Sequence, residues 1–203
     1  MPIIKESESK YTPVPVGNHV ARCYGMVSLG TQQGKNPKFQ PSFQIALMFE
    51  LPEEVLEING EKKPMALTKF LNAYFGSPSK PSKTAQFITS WRGKPFTEQE
   101  LKGFDIAKVV GATCLLNVVH AVKDGKTREE IASVSPMPKG MALPAAVNIP
   151  VVYEIEQGRD AVFRGLPEWM QKMIEKCEEW SRPSPAAVAE PEPEATEEES
   201  VPF

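Results

Sequence analysis

The stretch His19-Val20-Ala21-Arg22-Cys23-Tyr24-Gly25-Met26-Val27-Ser28-Leu29 decides the fold. Its residues alternate, with Ala21, Cys23, Gly25, Val27 and Leu29 on one face and Val20, Arg22, Tyr24, Met26 and Ser28 on the other. A period of two marks a β-strand, because successive side chains leave opposite faces of the extended backbone. The first face is small and apolar, as a barrel interior requires; the second sets an arginine beside a tyrosine. Gly25 in mid-strand predicts a sharp bend, the device by which one strand serves two sheets of a small barrel. A second strand comes next, with Pro41, Phe43, Ile45, Leu47, Phe49 and Leu51 facing one way and Ser42, Gln44, Ala46, Met48 and Glu50 the other. The polar segment between the two reads as a loop, and it carries Lys35 and Lys38 beside Phe39.

Working outward, Asn59-Gly60 is a tight-turn signal leading through Lys62 and Lys63 into a third strand over 65–71, with Tyr74 and Phe75 just beyond. Ser82 is placed to cap a helix running to Trp91, with Ala85, Ile88 and Trp91 on one stripe and Gly93 and Pro95 as its stop. Thr97-Glu98-Gln99-Glu100 fits a capping box for a short second helix. A rich fourth strand spans 112–122, Asp124-Gly125 makes another tight turn between Lys123 and Lys126, and Arg128 leads into a fifth strand over 131–135. A last helix starts at Pro167 and runs to Trp180, with Trp169, Met173, Cys177 and Trp180 as the packing stripe. This order predicts a mainly β protein with α elements. The expected form is a five-stranded Greek-key barrel of the oligonucleotide-binding (OB) type, with a helix between strands three and four and a C-terminal helical extension. A small sandwich is the structural alternative. The predicted organisation is an N-terminal arm over 1–17, a barrel domain over 18–140, an extension over 141–180 whose helix packs on the barrel, and a disordered acidic tail over 181–203.

Charge is divided along the chain. The 203 residues carry a net charge of −3, and the tail, with six glutamates against Arg182, contributes −5, which leaves the 1–180 body at +2. A mildly basic body beside an acidic end is the asymmetry expected of a body that binds an anion. Cys23, Cys114 and Cys177 are far apart in apolar surroundings and read as buried thiols in a reducing compartment. No apolar run has the length of a membrane span, and the N-terminus lacks the pattern of a signal peptide, so a soluble protein with a cytoplasmic location is expected.

The tail ends Glu197-Glu198-Glu199-Ser200-Val201-Pro202-Phe203. An acidic run closed by an apolar, proline-stiffened tip and a carboxylate suits a pocket rimmed by Arg or Lys. This ending resembles that of bacterial single-stranded-DNA-binding proteins, a likeness that implies recruitment of replication and recombination proteins through Glu197, Glu198, Glu199, Val201, Pro202 and Phe203. The combination Cys23-Tyr24-Gly25-Met26-Val27, Leu29-Gly30-Thr31, Trp91-Arg92-Gly93-Lys94-Pro95-Phe96, Leu116-Asn117-Val118-Val119-His120 and Pro138-Lys139-Gly140-Met141 resembles a family of small phage-encoded single-stranded-DNA-binding OB proteins. That second likeness spans about 19–141 and implies the OB fold and a single-stranded DNA ligand, without assigning contacts residue by residue.

Polynucleotide binding calls for cations on phosphates and ring faces under bases. On an OB barrel these come from strands two and three and from the loops after strands one and four. Arg22, Tyr24, Lys35, Lys38, Phe39, Lys69, Tyr74, Lys123, Lys126 and Arg128 are therefore the candidate contacts, while Trp91, Trp169 and Trp180 read as core. Enzyme readings find little. Gly30-Thr31-Gln32-Gln33-Gly34-Lys35-Asn36 has three residues between its glycines where a phosphate-binding loop has four, and Asn36 replaces its Ser or Thr. No Cys or His pair has metal-ligand spacing, and no cofactor is expected. The expected function is non-enzymatic coating of single-stranded DNA in phage-type replication or recombination, with homo-oligomers as one form. The alternatives are an OB-like protein-binding adaptor and a strand-annealing recombination protein.

Overall fold

The computed structural model describes residues 12–34, 38, 40–58, 60–123, 125–142 and 145–181, with the side chains of Ile58, Lys126 and Ser181 outside that description. Lys35, Phe39, most of the predicted arm and the tail from 182 onward thus lie outside the described residues.

Residues Gly17–Gln32 form β1, Ser42–Ile58 β2 and Glu61–Asn72 β3. The two-residue strands β4 (Gly76–Ser77) and β5 (Lys80–Pro81) pair with each other, and helices α1 (Lys83–Arg92) and α2 (Glu98–Lys102) come after them. Then come β6 (Thr113–Lys123), β7 (Lys126–Ser135), β8 (Val151–Tyr153) and the helices α3 (Ala161–Gly165), α4 (Glu168–Ile174) and α5 (Glu178–Ser181). The protein is mainly β with some helices. Its main sheet has six strands where five were expected, along the path β3-β2-β1-β6-β7 with β8 beside β1. Among the described residues only the β1–β8 pairing is parallel and no ladder joins β3 to β7, so the sheet is not closed. Lys69 Nζ instead spans that gap, donating to the Ile131 carbonyl at 2.8 Å.

Local signals account for the boundaries. Ser82 caps α1 by accepting from the Ala85 amide, and Gly93 ends it in the left-handed conformation (φ 67°), where a side chain would be strained. Thr97 and Glu100 form the capping box of α2. Arg92, in the Trp-Arg-Gly-Lys-Pro-Phe motif, lies over the Phe96 ring at 4.5 Å and pairs with Glu100 at 2.5 Å. The Thr97 amide and the Arg92 guanidinium hold the Glu100 carboxyl down to about 2. At the ends of the β2–β3 and β6–β7 hairpins Ile58 faces Glu61 and Lys123 faces Lys126, while Asn59 and Asp124 of the two predicted turns lie outside the described residues.

Two apolar cores share the sheet. The first gathers Ile45, Leu47, Phe49 and Leu51 of β2 with Leu67, Leu71, Phe87, Ile88, Trp91, Leu116 and Val118, as the alternation of β2 requires. The second lies on the other face, between β1–β2 and the C-terminal extension. It holds Val27, Leu29, Ala46 and Met48 with Tyr153, Ile155, Phe163, Leu166, Met170, Ile174 and Cys177.

The bend at Gly25 connects them. The β1–β2 register shifts between Cys23 and Gly25, and β1 changes its other neighbour there, from β6 through Arg22 to β8 from Gly25 onward. A bulge adds a residue to one strand and so reverses the facing of the residues C-terminal to it. Ala21, Cys23 and Met26 therefore point into the first core, while Val27 and Leu29 point into the second. A single face for Ala21 through Leu29 is thus corrected. Burial on both faces also explains why β1 runs through Gly30 to Gln32, where a loop was expected.

The predicted last helix is also corrected. It breaks after Ile174 and resumes at Glu178, so its buried stripe is Met170, Ile174 and Cys177, and Trp169 stays 46% exposed. Burying such side chains contributes roughly 1.5–3 kcal/mol each, enough to hold the extension on the sheet. Glu179 fastens its far end by accepting from the Thr31 amide (2.7 Å) and hydroxyl (2.5 Å). Partial burial works to raise the Glu179 carboxyl, and the two Thr31 donors outweigh it, keeping the group below the usual carboxylate range.

Gly30 is the point of closest approach. At φ 71°, a Cβ there would stand 2.6 Å from Cys177 Sγ and 2.7 Å from Ile155 Cδ1. Gly30→Ala is expected to destabilise the fold by about 2–4 kcal/mol, combining backbone strain with overpacking. Chemical denaturation checks this, and a change below about 0.5 kcal/mol would show that the extension does not seat on Gly30.

Candidate nucleic-acid interface

On an open β-sheet the outer face of the middle strands is the natural platform for a ligand, but here the extension covers most of it. Ala46, Met48 and Glu50, the outward residues of β2, are all buried. Glu50 is 0% exposed, and a carboxylate so placed costs several kcal/mol unless hydrogen-bonded. It accepts from the amides of Val147 (3.1 Å) and Asn148 (2.7 Å) and from Asn148 Nδ2 (2.8 Å), and Arg22 Nε stands 4.0 Å away. The crossing segment around 147–148 is thereby strapped to β2.

This fate extends to the predicted contacts on β1. Arg22 is engaged by Glu50 and by the Gly111 carbonyl, and Tyr24 packs against the second core. Burial, with the charge of Glu50, pushes the Tyr24 hydroxyl above its ordinary range. Both lie on the covered side of the sheet.

The two basic loops are not brought together. β6 pairs with the start of β1 (Gly17 opposite Val118) and runs on past it, so Lys123 and Arg128 belong to the hairpin beyond the beginning of β1. The β1–β2 connection with Lys38 lies past the other end of that 16-residue strand. At roughly 3.3 Å per residue, β1 puts up to about 50 Å of backbone between them. Lys123 is paired with Glu130, Arg128 and Lys38 are exposed, and the Lys126 side chain and all of Lys35 and Phe39 lie outside the described residues. Tyr74, 61% exposed, sits at the same end as Lys38, where the Ala73 amide meets the Phe43 carbonyl.

Part of β3 stays open on the outer face, and the extension adds to it. Phe70, opposite Ala46 and 44% exposed, meets Trp169 of α4 edge-on, ring centroids 6.0 Å apart. Two half-exposed rings in contact form a small apolar patch on the surface, the kind of feature that marks a binding site when it is contiguous. Neither is legible as a site residue in the sequence: Phe70 for want of clear alternation in the third strand, Trp169 because an unbroken helix would have turned it inward.

Next to this pair lies a groove of about 320 Å³ between β3, α1 and β7, lined by Lys69, Phe70, Lys83, Gln86, Ser90 and Ser133 among others. Lys69 points to this inner side of β3, over the Phe87 ring at 5.4 Å, and burial lowers its ammonium group from the ordinary lysine range. Among the described residues no three His, Cys, Asp or Glu side chains gather to hold a metal, and no helix is long and apolar enough to cross a membrane.

Of the three tryptophans, Trp91 is buried and donates to the Thr113 carbonyl, whereas Trp169 is open. Trp169→Phe is expected to remove most of the acrylamide-quenchable fluorescence. Unchanged quenching would place Trp169 in the interior. Compared with known proteins, the chain matches no family model and no curated relative.

Proposed function

We propose that the protein binds and coats single-stranded DNA with little sequence preference, without catalysis, on an OB-type barrel left open between β3 and β7. The strand order supports the fold reading: three consecutive strands, the first lying between the second and the fourth long strand, with a helix in the intervening connection. The observation that carries the function is the exposed Phe70–Trp169 ring pair on the outer side of β3. Stacking on such rings tolerates any base, because every base has a π-face, and is worth roughly 1–3 kcal/mol per base. The acidic tail, leaving the body after Ser181, competes with DNA for basic surface and recruits replication and recombination proteins once displaced. The setting is phage-type replication or recombination in the bacterial cytoplasm.

The second reading is a protein-binding adaptor. Val147, Ile149 and Val152, at 57%, 83% and 38% exposed, favour it as an apolar strip along the extension. A strand-annealing protein shares the DNA surface and differs in promoting duplex formation between complementary strands.

A titration of the intrinsic fluorescence with oligo-dT at two salt concentrations separates these readings. Coating predicts saturable, salt-weakened binding, with Phe70→Ala and Trp169→Ala each reducing affinity by roughly 5- to 150-fold. Removing 181–203 raises affinity, most at low salt. Absence of binding by the intact chain would leave the adaptor.

A further inference from the structure

We infer that the groove between β3, α1 and β7 is a phosphate site for one nucleotide unit of a bound strand. This rests on the strand-coating reading. Lys69 is a half-buried cation at the centre of the groove wall. Its Nζ donates to the Ile131 carbonyl and lies over the Phe87 ring, two interactions that satisfy part of the ammonium group without neutralising it. Among the described residues it has no carboxylate within ion-pair distance, and neither does Lys83 at the start of α1. The acid whose field reaches Lys69, Glu130, is taken by Lys123. Lys83 is a second cation close enough for its field to reach Lys69, a repulsion smaller than the pull of Glu130.

Partly desolvating a lysine that has no carboxylate in ion-pair contact costs stability, and an anion in the groove offsets that cost. The rest of the lining suits a phosphate. Ser90 and Ser133 bring hydroxyls from α1 and β7, and Gln86 is held at the rim by its bond to the Pro81 carbonyl. At about 320 Å³ the groove is at the small end of ligand sites, the size of a nucleotide and not of a longer segment. Phe70 also borders the groove, but its ring meets Trp169 on the outer face of β3, so the phosphate site and the ring pair lie on the two sides of one strand at the open seam.

The test is the salt dependence of oligo-dT binding by the full chain and its variants. Removing one cation that neutralises a phosphate lowers the slope of log affinity against log salt by about 0.7 for a single strand. Lys69→Met, which keeps the aliphatic stem, and Lys83→Gln are each expected to show that drop, and Lys102→Gln on α2 the slope of the intact chain. Lys83 is exposed, so its variant carries the test if Lys69→Met does not fold. Unaltered slopes in the variants that fold overturn the groove and leave strand coating standing. If the intact chain binds no oligo-dT, coating fails, and the groove is probed with dTMP by amide NMR. Saturable shifts at Ser90 and Ser133 that vanish in Lys83→Gln retain it as a site for a free nucleotide phosphate; no shifts overturn it.

Discussion

Everything in this fold depends on β1 being buried on both sides past Gly25. A strand with one wet face would supply a single core and leave the extension nowhere to pack. The bulge at Gly25 reverses the facing of the residues behind it, so one strand lends Ala21, Cys23 and Met26 to one core and Val27 and Leu29 to the other. Neighbouring thiols show how dry the first core is: burial pushes Cys23 up to about 12, and Cys114 higher still.

The second core decides what the sheet can offer a ligand. By covering β2, the extension withdraws Arg22, Tyr24 and Glu50 from solvent and turns them into structure. It also builds, since α4 brings Trp169 to the outer side of β3, against a ring that the sheet alone would leave by itself. The aromatic pair therefore stands on the outer side of β3, and Lys69 and Lys83 line the groove on the inner side, at the open seam.

Much of the architecture was legible because local chemistry and long-range packing agree. The alternation of β2, both hairpin turns, the Ser82 and Thr97 caps and the Gly93 stop were readable from residue types at fixed spacing. The extension was not, for physical reasons. Residues 25–30 are buried on both faces and show no clean period, β8 is three residues long, and the helical stripe is displaced by a break after Ile174 that no proline or glycine announces. The candidate site suffered accordingly. Basic residues in turns are easy to see in a sequence, but whether two turns share one surface depends on strand direction. Here the direction of β6 carries Lys123 away from the β1–β2 connection. Phe70 and Trp169 are about a hundred residues apart, and nothing local marks either as half of a pair.

Photocrosslinking tests the central claim most directly, with an oligonucleotide bearing a halogenated uracil bound to the full chain and the adducts mapped by peptide. Adducts on Phe70 and Trp169 are the result the account predicts, because a stacked base lies in van der Waals contact with those rings. Adducts confined to the β6–β7 hairpin, or to Tyr74 at the end of β3, would contradict it and move the path of the DNA to another face.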